Sequence, residues 1–309
     1  MMLPALPHPD AYGALRRDPA WLAQVAAWFR LQLGLPDPGV PYPNGSSVVV
    51  RYGPVVLKLF CPTDRAHART EALVLQQLFS ALPVETPRLI DLGEVEGWPW
   101  VLMSTLPGDD LSQRWAELTP SDRLSLAAEL GELLAALHAQ RPPGELAIAW
   151  PVWSAAQASS AVDQHRRGGC PPPLLEQLPA FLERADLSVG PRGLALLHTE
   201  VMREHLKVHR HGDRWRLCGL FDLEPAMVAP VDYEFASVGL FFSSGDRTLL
   251  RRVLSSWGVD PLDEALTHRL FALALIHRYA NLAFWMRHTR TEGSDLEQLA
   301  QRWFGLEPT

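Results

Sequence analysis

A run of polar side chains between two apolar stretches limits the fold more than any other feature of the chain. The run spans residues 198–205, lies between apolar residues 196–197 and 206–208, and holds no glycine or proline that would mark a simple turn. A second apolar stretch ends in the carboxylates of Asp222 and Glu224. Two short strands that each lead into carboxylates can bring those groups together at one sheet edge, which suits a metal ion and a phosphate.

The overall composition is that of a globular protein with a real core. The chain has 309 residues, of which 47% are apolar and 20% charged, enough for one large domain or for two lobes that share a cleft. Its formal net charge is -7, and it has no long cluster of lysine and arginine. This charge balance argues against a nucleic-acid partner, which needs a basic surface, and is compatible with a cationic small substrate.

The cysteines and the N-terminal residues favour a reducing compartment. Cys61, Cys170 and Cys218 are odd in number and far apart in the sequence, which argues against a disulfide framework and against a cysteine zinc site. The first residues lack a basic segment followed by an apolar run, and no stretch approaches the ~20 apolar residues of a membrane helix. We therefore expect a cytoplasmic location and no membrane partner.

Hydrophobic periodicity predicts a β-rich N-terminal region, residues 1–106, that begins with a helix. The first 17 residues are rich in proline and are expected to be irregular. Asp18 followed by Pro19 is a typical helix start, because proline at the first helical position loses no needed hydrogen bond. After this helix the pattern predicts a β-hairpin at residues 46–60, a helix at 64–82, and strands at 88–94 and 98–106.

Two charged residues in this region stand where apolar residues are expected. Lys58 is the only charged residue of the second hairpin strand, and the simplest interpretation is a lysine on an edge strand that faces water. Glu71 lies near the apolar face of the next helix, together with Leu75 and Leu78. A glutamate on a core-facing stripe needs a partner, and Lys58 is a candidate. The alternative is that Glu71 lies exposed at the margin of the stripe.

The rest of the chain, residues 107–309, is predicted to be mostly helical after a break at residues 107–110. Thr119 begins a helix with a leucine stripe that ends at His138, a histidine favoured there by the helix dipole. Residues 141–192 are rich in proline and glycine and are interpreted as an elaboration on the scaffold. Further helices are predicted at residues 153–166, 174–185, 246–258, 262–288 and 295–304.

The polar run has three interpretations from its residues alone. The first is structural, with buried polar side chains in hydrogen-bonded turns. For any one of these residues considered alone, Asp222 included, this is the simplest interpretation. The second is a metal hydrolase, but the HExxH pattern is absent, and His205 and His209 on one strand would lie about 13 Å apart, too far to share a metal. The lack of a CxxC after His198 also argues against a zinc deaminase.

The third interpretation is phosphoryl transfer, because the chain offers the needed groups in a suitable order. This chemistry needs a lysine on a strand to hold phosphates, a helix acid to hold the lysine, a carboxylate to orient the acceptor hydroxyl, and metal ligands. The candidates in chain order are Lys58, Glu71, Glu200, His205 and Asp222. Their order and spacing favour this interpretation over the other two.

Four segments carry a family resemblance. Residues 198–205 are similar to a catalytic loop of the form H-G-D-x-x-x-x-N, residues 221–224 to a metal-binding strand of the form I-D-W/F-E, and residues 233–236 to a Y-D-L-A segment. Residues 103–108 are similar to a link between two lobes. With these segments in this order, the chain resembles the aminoglycoside phosphotransferase family of antibiotic-resistance and small-molecule kinases, over roughly residues 40–305.

The resemblance implies an α+β, bilobal, protein-kinase-like fold. A small β-rich N-terminal lobe at residues 1–106 would bind the nucleotide, and a larger, mostly helical C-terminal lobe at residues 107–309 would carry the catalytic loop and the acceptor. ATP, or alternatively GTP, would be the phosphoryl donor, with Mg²⁺ or Mn²⁺ as the metal. The acceptor would be a hydroxyl of an aminoglycoside-like or sugar-like molecule, with no obligate protein partner. Residues 276–282 are similar to a helix of hygromycin-type members.

The resemblance also implies roles for individual residues. The expected nucleotide-binding residues are Lys58, Glu71, Ser46, Ser47 and Met103, the expected metal ligands are Asp222, His205 and Glu224, and the expected catalytic residues are Glu200, His198 and Arg203. The acceptor would lie near residues 150–185 and the terminal helices. Acidic residues such as Asp260, Asp263 and Glu264 would suit a cationic acceptor, although a solvated helix face is the simpler interpretation.

Three positions depart from the family pattern. The catalytic aspartate is Glu200, and a misplacement of about 1 Å can cost about a hundredfold in rate. The metal-binding asparagine is His205, and imidazole suits manganese and other transition metals better than magnesium. Residues 229–231 replace a Gly-Asp-Pro segment. Residues 44–47 are the best counterpart of a glycine-rich loop, and no Walker pattern is present.

These departures motivate two alternatives. One is a degenerate kinase fold that binds nucleotide or another ligand without turnover. The other is a scaffold that binds a partner protein, and it rests only on the 11 tryptophans of the chain, many of which are expected in the core.

Overall fold

The computed structural model describes residues 3–4, 9–43 and 45–306. Asn44, part of the predicted counterpart of a glycine-rich loop, lies outside the described residues. The side chains of residues 9 and 10 are likewise outside the description.

The chain divides into two units. The first is Met1–Pro107 together with Gly219–Pro225, and the second is Gly108–Cys218 together with Ala226–Thr309. The sequence-based division did not include the return of residues 219–225 to the first unit. Two backbone contacts explain the return, because Gly219 forms a parallel bridge with Glu85 and the next residue donates its N–H to the Glu85 carbonyl oxygen.

An antiparallel sheet with the strand order β1-β2-β3-β5-β4 forms the centre of the first unit. The predicted hairpin, helix and two further strands are confirmed within a few residues. The described elements of this unit are α1 (Pro9–Leu15), α2 (Pro19–Gln32), β1 (Val40–Pro41), β2 (Val48–Tyr52), β3 (Val55–Leu59), α3 (Arg65–Leu78), β4 (Leu89–Val95) and β5 (Trp98–Ser104).

Helix α1 shows that the expected irregular start was wrong for part of its length. The buried Tyr12 fixes this helix on the sheet, because its hydroxyl donates to the Leu59 carbonyl oxygen at 3.2 Å and accepts the Val48 N–H at 2.9 Å. Helix α2 begins as predicted, with the Asp18 carboxylate accepting backbone N–H groups of the first turn. A buried aromatic anchor and a capped helix together cover one face of the sheet.

Strand β3 is a central strand, so the interpretation of Lys58 as an edge lysine was wrong. Lys58 lies opposite Val49 of β2 and Val101 of β5, and it is only 5% exposed. Helix α3 turns Glu71 into the same buried region, where it is 0% exposed. The placement of Glu71 at an exposed helix margin was therefore wrong as well.

The second unit is mostly helical and contains two small sheets. Its described elements are β6 (Asp109–Asp110), α4 (Leu111–Arg114), α5 (Pro120–His138), α6 (Trp150–Arg167), α7 (Pro172–Arg184), β7 (Leu194–Leu197), β8 (Leu206–His211), β9 (Arg214–Leu220), β10 (Met227–Pro230), α8 (Val231–Ser237), a π-helical turn (Val238–Phe242), α9 (Arg247–Trp257), α10 (Glu264–Leu275), α11 (Leu282–His288) and α12 (Leu296–Phe304). The last two residues of β9 are grouped with the first unit.

The two apolar strands that precede carboxylates do not share a sheet edge, contrary to the sequence-based expectation. Strand β7 pairs with β10, and the two form a two-stranded antiparallel sheet. Strand β9 pairs with β8 in a separate sheet. Strand β8 directly precedes β9 in the chain, whereas β10, the partner of β7, follows only after β9. The periodicity of a strand does not show which of these partners it pairs with, and the partner decides which sheet the strand joins.

The predicted helix at residues 262–288 is two helices, α10 and α11. The chain leaves the helical path at Ile276, and Asn281 caps α11 by accepting the Phe284 N–H at 2.9 Å. Between the helices, the buried ring of His277 accepts the backbone N–H of Tyr279 at 3.3 Å. These local side-chain bonds to the backbone compete with helical bonds and break the periodic segment.

Helix α5 is the longest described helix, with 19 residues. It starts with the predicted Thr119 cap, here a full capping box with Asp122, and ends at His138 as expected. Its leucine stripe is buried. Neither α5 nor any other described helix is long and apolar enough to cross a membrane.

Candidate active site

The first unit gathers three carboxylates around one lysine, and we call Lys58, Glu71, Asp222 and Glu224 the Lys58 cluster. The Lys58 ammonium lies 2.9 Å from Glu71 Oε2 and 2.7 Å from Glu224 Oε2, and it also pairs with Asp222. Strand β3 supplies the lysine, α3 supplies Glu71, and residues 219–225 supply the other two carboxylates. Because Lys58, Glu71 and Glu224 are buried, these ion pairs are shielded from solvent.

Residues 219–225 are held to the cluster by further hydrogen bonds. The Leu223 N–H donates to Glu71 Oε1 at 3.2 Å, and the Ser46 hydroxyl donates to Glu224 Oε1 at 3.3 Å. Asp222 has a φ of 66°, a left-handed conformation that aspartate adopts more readily than most residues. The backbone at Asp222 is therefore turned sharply between two anchored neighbours.

The other predicted nucleotide-binding residues occupy different positions in the first unit. Ser46 and Ser47 lie in the turn before β2, and Ser47 is half-buried. Met103 lies in β5 opposite Val56 of β3 and is buried. The structure thus connects Ser46 to the Lys58 cluster, and nucleotide contacts of Ser47 and Met103 stay predictions.

The Lys58 cluster carries an excess of negative charge, with three carboxylates against one ammonium. Burial alone lowers the pKa of Lys58, but the three carboxylates, Asp222 most strongly, outweigh burial and raise the pKa well above its usual value. Burial raises the pKa of Glu71, although Lys58 opposes this shift. Lys58 therefore stays protonated at neutral pH, and the surplus carboxylate charge favours a bound cation.

The carboxylates of the Lys58 cluster fit a divalent metal ion. One oxygen each of Glu71, Asp222 and Glu224 lie within 4.8 Å of one another. Hard cations such as Mg²⁺ and Mn²⁺ take carboxylate oxygens as ligands. Asp222 and Glu224 were predicted as metal ligands, whereas Glu71 was predicted as a nucleotide-binding residue and as the partner of Lys58, and not as a metal ligand.

In the second unit, residues 198–205, here called the 198–205 loop, are held mainly through their backbone. The Glu234 carboxylate accepts the His198 N–H at 2.6 Å and the Thr199 N–H at 2.8 Å. The Ser237 hydroxyl accepts the Val201 N–H at 3.2 Å. Glu234 is 0% exposed, so these charge-assisted bonds form away from water and fix the start of the loop on α8.

Thr199 stands where the family motif has glycine, and its backbone is left-handed with a φ of 69°. This conformation costs a β-branched residue roughly 1–2 kcal/mol, so neighbouring bonds must maintain it. The Thr199 carbonyl oxygen lies 3.0 Å from Nε2 of His277. Because Nδ1 of His277 accepts the Tyr279 N–H, the neutral ring carries its proton on Nε2 and donates it to Thr199. Burial lowers the pKa of His277 to about 4, which keeps the ring neutral.

Two histidines of the 198–205 loop hold the backbone of Glu200. The Glu200 N–H donates to His198 Nδ1 at 3.3 Å, and the Glu200 carbonyl oxygen accepts from His205 Nδ1 at 2.7 Å. The two rings stack with their centroids 5.6 Å apart. The side chain of Glu200 is half-buried. His198 and His205 thus orient Glu200 through its backbone, and a metal-ligand role of His205 stays a prediction.

Arg203 packs at the end of the 198–205 loop. Its guanidinium carbon lies 3.6 Å from the centroid of the Trp115 ring, and its Nε donates to the Phe242 carbonyl oxygen at 2.7 Å. Burial lowers the pKa of Arg203 to about 10, so the group stays charged at neutral pH. These contacts support a structural role, and a catalytic role stays a prediction.

A tryptophan and a histidine lie behind Glu234, the side chain that holds the 198–205 loop. The Trp257 indole N–H donates to His138 Nδ1 at 2.9 Å, which leaves the His138 proton on Nε2. This nitrogen lies 3.5 Å from Glu234 Oε2, too far for a strong hydrogen bond but close enough for electrostatic attraction. His138, predicted only to end α5, therefore also faces the carboxylate that holds the 198–205 loop.

Sequence reasoning missed Glu234 and His277 as supports of the loop. A signal was present for Glu234, because an acid inside a long apolar run must be buried with a partner. For His277, the signal was a cluster of polar residues inside a predicted helix. In both cases the sequence indicated an unusual residue but not the backbone groups that it binds.

Comparison with known proteins places these features in a wider group. A family model described as the phosphotransferase enzyme family, abbreviated APH, matches residues 45–270. This range includes both the Lys58 cluster and the 198–205 loop. Sequence comparison with curated proteins finds no match.

Solved structures share the fold at low sequence identity. The GDP complex of wild-type aminoglycoside 2'-phosphotransferase-IIIa is 16% identical, with a TM-score of 0.69 over 90% of this chain and 97% of that chain. A ternary complex of APH(2'')-IIa with streptomycin and ATP is 12% identical, with a TM-score of 0.60 over 89% and 98%. An aminoglycoside-3'-phosphotransferase of type VIII is 22% identical, with a TM-score of 0.57 over 82% and 99%. These likenesses confirm the α+β, protein-kinase-like fold.

Proposed function

Because the chain belongs to the phosphotransferase enzyme family, we propose that it transfers the γ-phosphoryl group of ATP to a hydroxyl group of a small molecule. The observation that carries the proposal is the buried Lys58 cluster, in which a lysine is held by a helix acid and by two carboxylates of a family-like motif. In this reaction a bond forms between the acceptor oxygen and the γ-phosphorus. The bond from that phosphorus to the bridging oxygen breaks, and ADP leaves.

The Lys58 cluster is the proposed nucleotide-binding part. The Lys58 ammonium would bind phosphate oxygens, and Glu71 would keep the ammonium in place. Ser46, Ser47 and Met103 are the further proposed nucleotide contacts. Asp222, Glu224 and Glu71 would hold Mg²⁺ or Mn²⁺, which when bound neutralises charge on the phosphate oxygens. GTP is the alternative donor, since relatives of this fold bind GDP as well as ATP.

The 198–205 loop is the proposed acceptor-activating part. Glu200 would accept the proton of the acceptor hydroxyl, while His198 and His205 keep its backbone in place. The loop backbone is bonded on both sides of Glu200, so the additional methylene, relative to aspartate, would be taken up by the conformation of the side chain. His205 remains a proposed metal ligand and, as imidazole, would favour Mn²⁺. Arg203 is proposed to act by positioning rather than by contact with phosphate.

The proposed acceptor is an aminoglycoside-like or sugar-like alcohol. Relatives with this fold include enzymes named for aminoglycoside phosphorylation, one of them bound to streptomycin. The net charge of -7 suits a cationic acceptor of this class. We propose residues 107–309 as the acceptor-binding part and residues 1–106 as the nucleotide-binding part.

Two measurements on the same protein test the proposal. Thermal shift with ATP and GTP, each with Mg²⁺ and Mn²⁺, reports nucleotide binding, and transfer of labelled γ-phosphate to aminoglycosides and sugars reports turnover. Glu200→Gln should keep the thermal shift and lose transfer by about 10²–10⁴-fold. Glu204→Gln, at an exposed carboxylate in the same loop, is the matched control and should transfer as wild type does.

The replacement of two motif residues by Glu200 and His205 favours one second candidate, a nucleotide-binding protein without turnover. Thermal shift by ATP with no transfer to any acceptor would support this candidate. A protein that shows no nucleotide shift, and in which Lys58→Ala behaves as wild type, would instead support a scaffold. Transfer that survives Glu200→Gln would contradict the role of Glu200.

A further inference from the structure

One face of α2 lines an open groove, which we call the N-terminal groove. Its walls are Arg16 and Arg17, which follow α1, the α2 face from Pro19 to Leu31, and the extended segment 38–43. The cavity has a volume of about 700 Å³, within the range of sites for small molecules. All of its lining residues precede the stretch 45–270 that the family model matches, so the proposed phosphoryl transfer does not account for it.

The sequence of α2 produces two apolar stripes on one helix. Trp21, Val25 and Phe29 form the stripe buried in the core. The groove residues of α2 recur at spacings of three and four and, apart from Arg30, form a second face of small and apolar side chains. At its end Leu31 is 75% exposed, and across the groove Tyr42 is 46% exposed. Large apolar side chains left in water on two facing walls mark a surface that gains by being covered.

The segment 38–43 approaches α2 closely because of Gly39. A Cβ atom at this position would lie 2.9 Å from the Ala26 Cβ and 2.6 Å from the Tyr52 ring. Both distances are shorter than van der Waals contact, so only glycine permits this approach. The close packing fixes the floor of the groove against the core of the first unit.

The groove is basic in an acidic protein. Three arginines, Arg16, Arg17 and Arg30, line it, and none of its described lining residues is an aspartate or a glutamate. The Arg16 guanidinium donates one bond to the Gly45 carbonyl oxygen, and within the described part of the chain no carboxylate pairs with any of the three. Guanidinium groups without a counter-charge beside apolar surface favour an anionic, amphipathic ligand.

The backbone of the groove favours an aliphatic chain over a peptide. A bound peptide must find partners for its own N–H and C=O groups. Helix α2 uses its backbone groups internally, and Pro19, Pro38, Pro41 and Pro43 have no N–H to offer. A hydrocarbon chain has no such groups to satisfy. Pro19 and Arg30 are about 16 Å apart along the helix axis, roughly the length of an extended chain of twelve carbon atoms.

We propose that the N-terminal groove binds a free aliphatic carboxylate of about twelve carbons. The carboxylate lies at the Arg16–Arg17 end, where two guanidinium groups are available. The chain runs along α2 toward Leu31, and the methylene stem of Arg30 packs beside it.

Titration with a series of saturated fatty acids tests the length of the site. Calorimetry with octanoate, decanoate, laurate and myristate, all kept below micelle-forming concentrations, should show tighter binding with each methylene, by up to about fourfold. The gain should stop near twelve carbons, where the groove ends. Dodecanol, which has the same chain without the charge, should bind at least tenfold more weakly than laurate. Equal binding of laurate and dodecanol would overturn the proposal.

Variants locate the site and control for folding. Arg17→Glu should weaken laurate binding more than tenfold, and more than Arg30→Glu does. Arg51→Glu, at an exposed arginine outside the groove, should have no effect.

Ala27→Trp fills the groove from an exposed helix position and should abolish binding. Gln24→Trp, on the same helix outside the groove, should leave binding unchanged. Unchanged thermal unfolding of each variant shows that the fold is retained. Laurate binding that none of the groove variants alters, or binding only of an acidic peptide or of anionic phospholipid vesicles, would also overturn the proposal.

Discussion

The Lys58 cluster and the 198–205 loop hold their charged groups in two different ways. In the cluster, side chain binds side chain, and the position of Lys58 depends on the balance between its ammonium and three carboxylates. In the loop, side chains from outside bind the backbone, through Glu234, Ser237 and His277. In a cluster held by charge, replacing one residue by another type disturbs the charge balance. In a loop held through its backbone, a side chain can be replaced without loss of the bonds that hold the loop.

This difference explains where the chain departs from its family pattern. The cluster keeps the lysine and acids of the motif. The loop carries Thr199, Glu200 and His205 where the motif has glycine, aspartate and asparagine. Because the backbone of Thr199 and Glu200 is bonded to groups outside their own side chains, these side chains can change while the path of the loop is kept. The comparison predicts that charge changes affect the cluster most, and that the loop responds most to loss of its outside partners.

Lys58→Met should have the largest effect on stability. The variant keeps an unbranched side chain, one heavy atom shorter, but leaves three carboxylates around a neutral group. The free energy of unfolding should therefore fall by about 3–5 kcal/mol at neutral pH. Urea denaturation measures this change. Lys207→Met is the control, because the Lys207–Asp110 pair is more exposed and should contribute under about 1 kcal/mol. Equal losses in the two variants would show that the cluster does not depend on its charge balance.

Glu234→Ala should have the next largest effect. It leaves the N–H groups of His198 and Thr199 buried without an acceptor, at a cost of about 2–4 kcal/mol. Amide hydrogen exchange should accelerate at these two residues first. Glu234→Gln keeps one acceptor oxygen and should lie between wild type and Ala. Glu132→Ala, at an exposed position of α5, should change neither measurement, and slow exchange in Glu234→Ala would argue against backbone support of the loop.

His277 should make stability depend on pH. Its pKa is lowered from 6.5 to about 4 in the folded protein, so the unfolded chain binds the proton more readily. The neutral His277 ring therefore makes its full contribution to the free energy of unfolding above pH 6.5. This contribution is lost as the pH falls toward 4, by up to roughly 3 kcal/mol. Burial also lowers the pKa of His165 and of His268, so denaturation curves of His277→Gln should show a shallower slope rather than none, while the exposed control His209→Gln should retain the full slope. A slope that is unchanged in His277→Gln would assign the pH dependence to other groups.

Substitutions of Thr199 should change stability least. The sign of the difference between glycine and alanine at this position tests whether its backbone is left-handed. Thr199→Gly should be about 1 kcal/mol more stable than Thr199→Ala, because alanine keeps the Cβ that disfavours a left-handed backbone. At Ser125, an exposed residue inside α5, the order should reverse, because glycine weakens a helix by about the same amount. Thermal unfolding of the four variants measures both differences. The same order at both sites would contradict the left-handed conformation of Thr199.

The sequence predicted features that depend on neighbours along the chain. The Asp18 cap, the strand that carries Lys58 and the helix face that carries Glu71 follow from spacing over a few residues. The support of the loop does not, because Glu234 and His277 bind groups that are 36 and 78 residues away. The sheet partner of β7 was missed for the same reason, because β10 is separated from β7 by two further strands. Periodicity reports which face of an element is apolar, but not which distant backbone group a buried polar side chain will meet.

The central claim is that the cluster binds nucleotide and the loop activates the acceptor, so the two functions should separate in one experiment. Nucleotide binding and γ-phosphate transfer are measured on the same samples of wild type, Lys58→Met and Glu200→Gln. The account predicts that wild type binds and transfers, that Lys58→Met loses both, and that Glu200→Gln binds normally but transfers at least a hundredfold more slowly. Loss of nucleotide binding in Glu200→Gln, or undiminished transfer by it, would contradict this division.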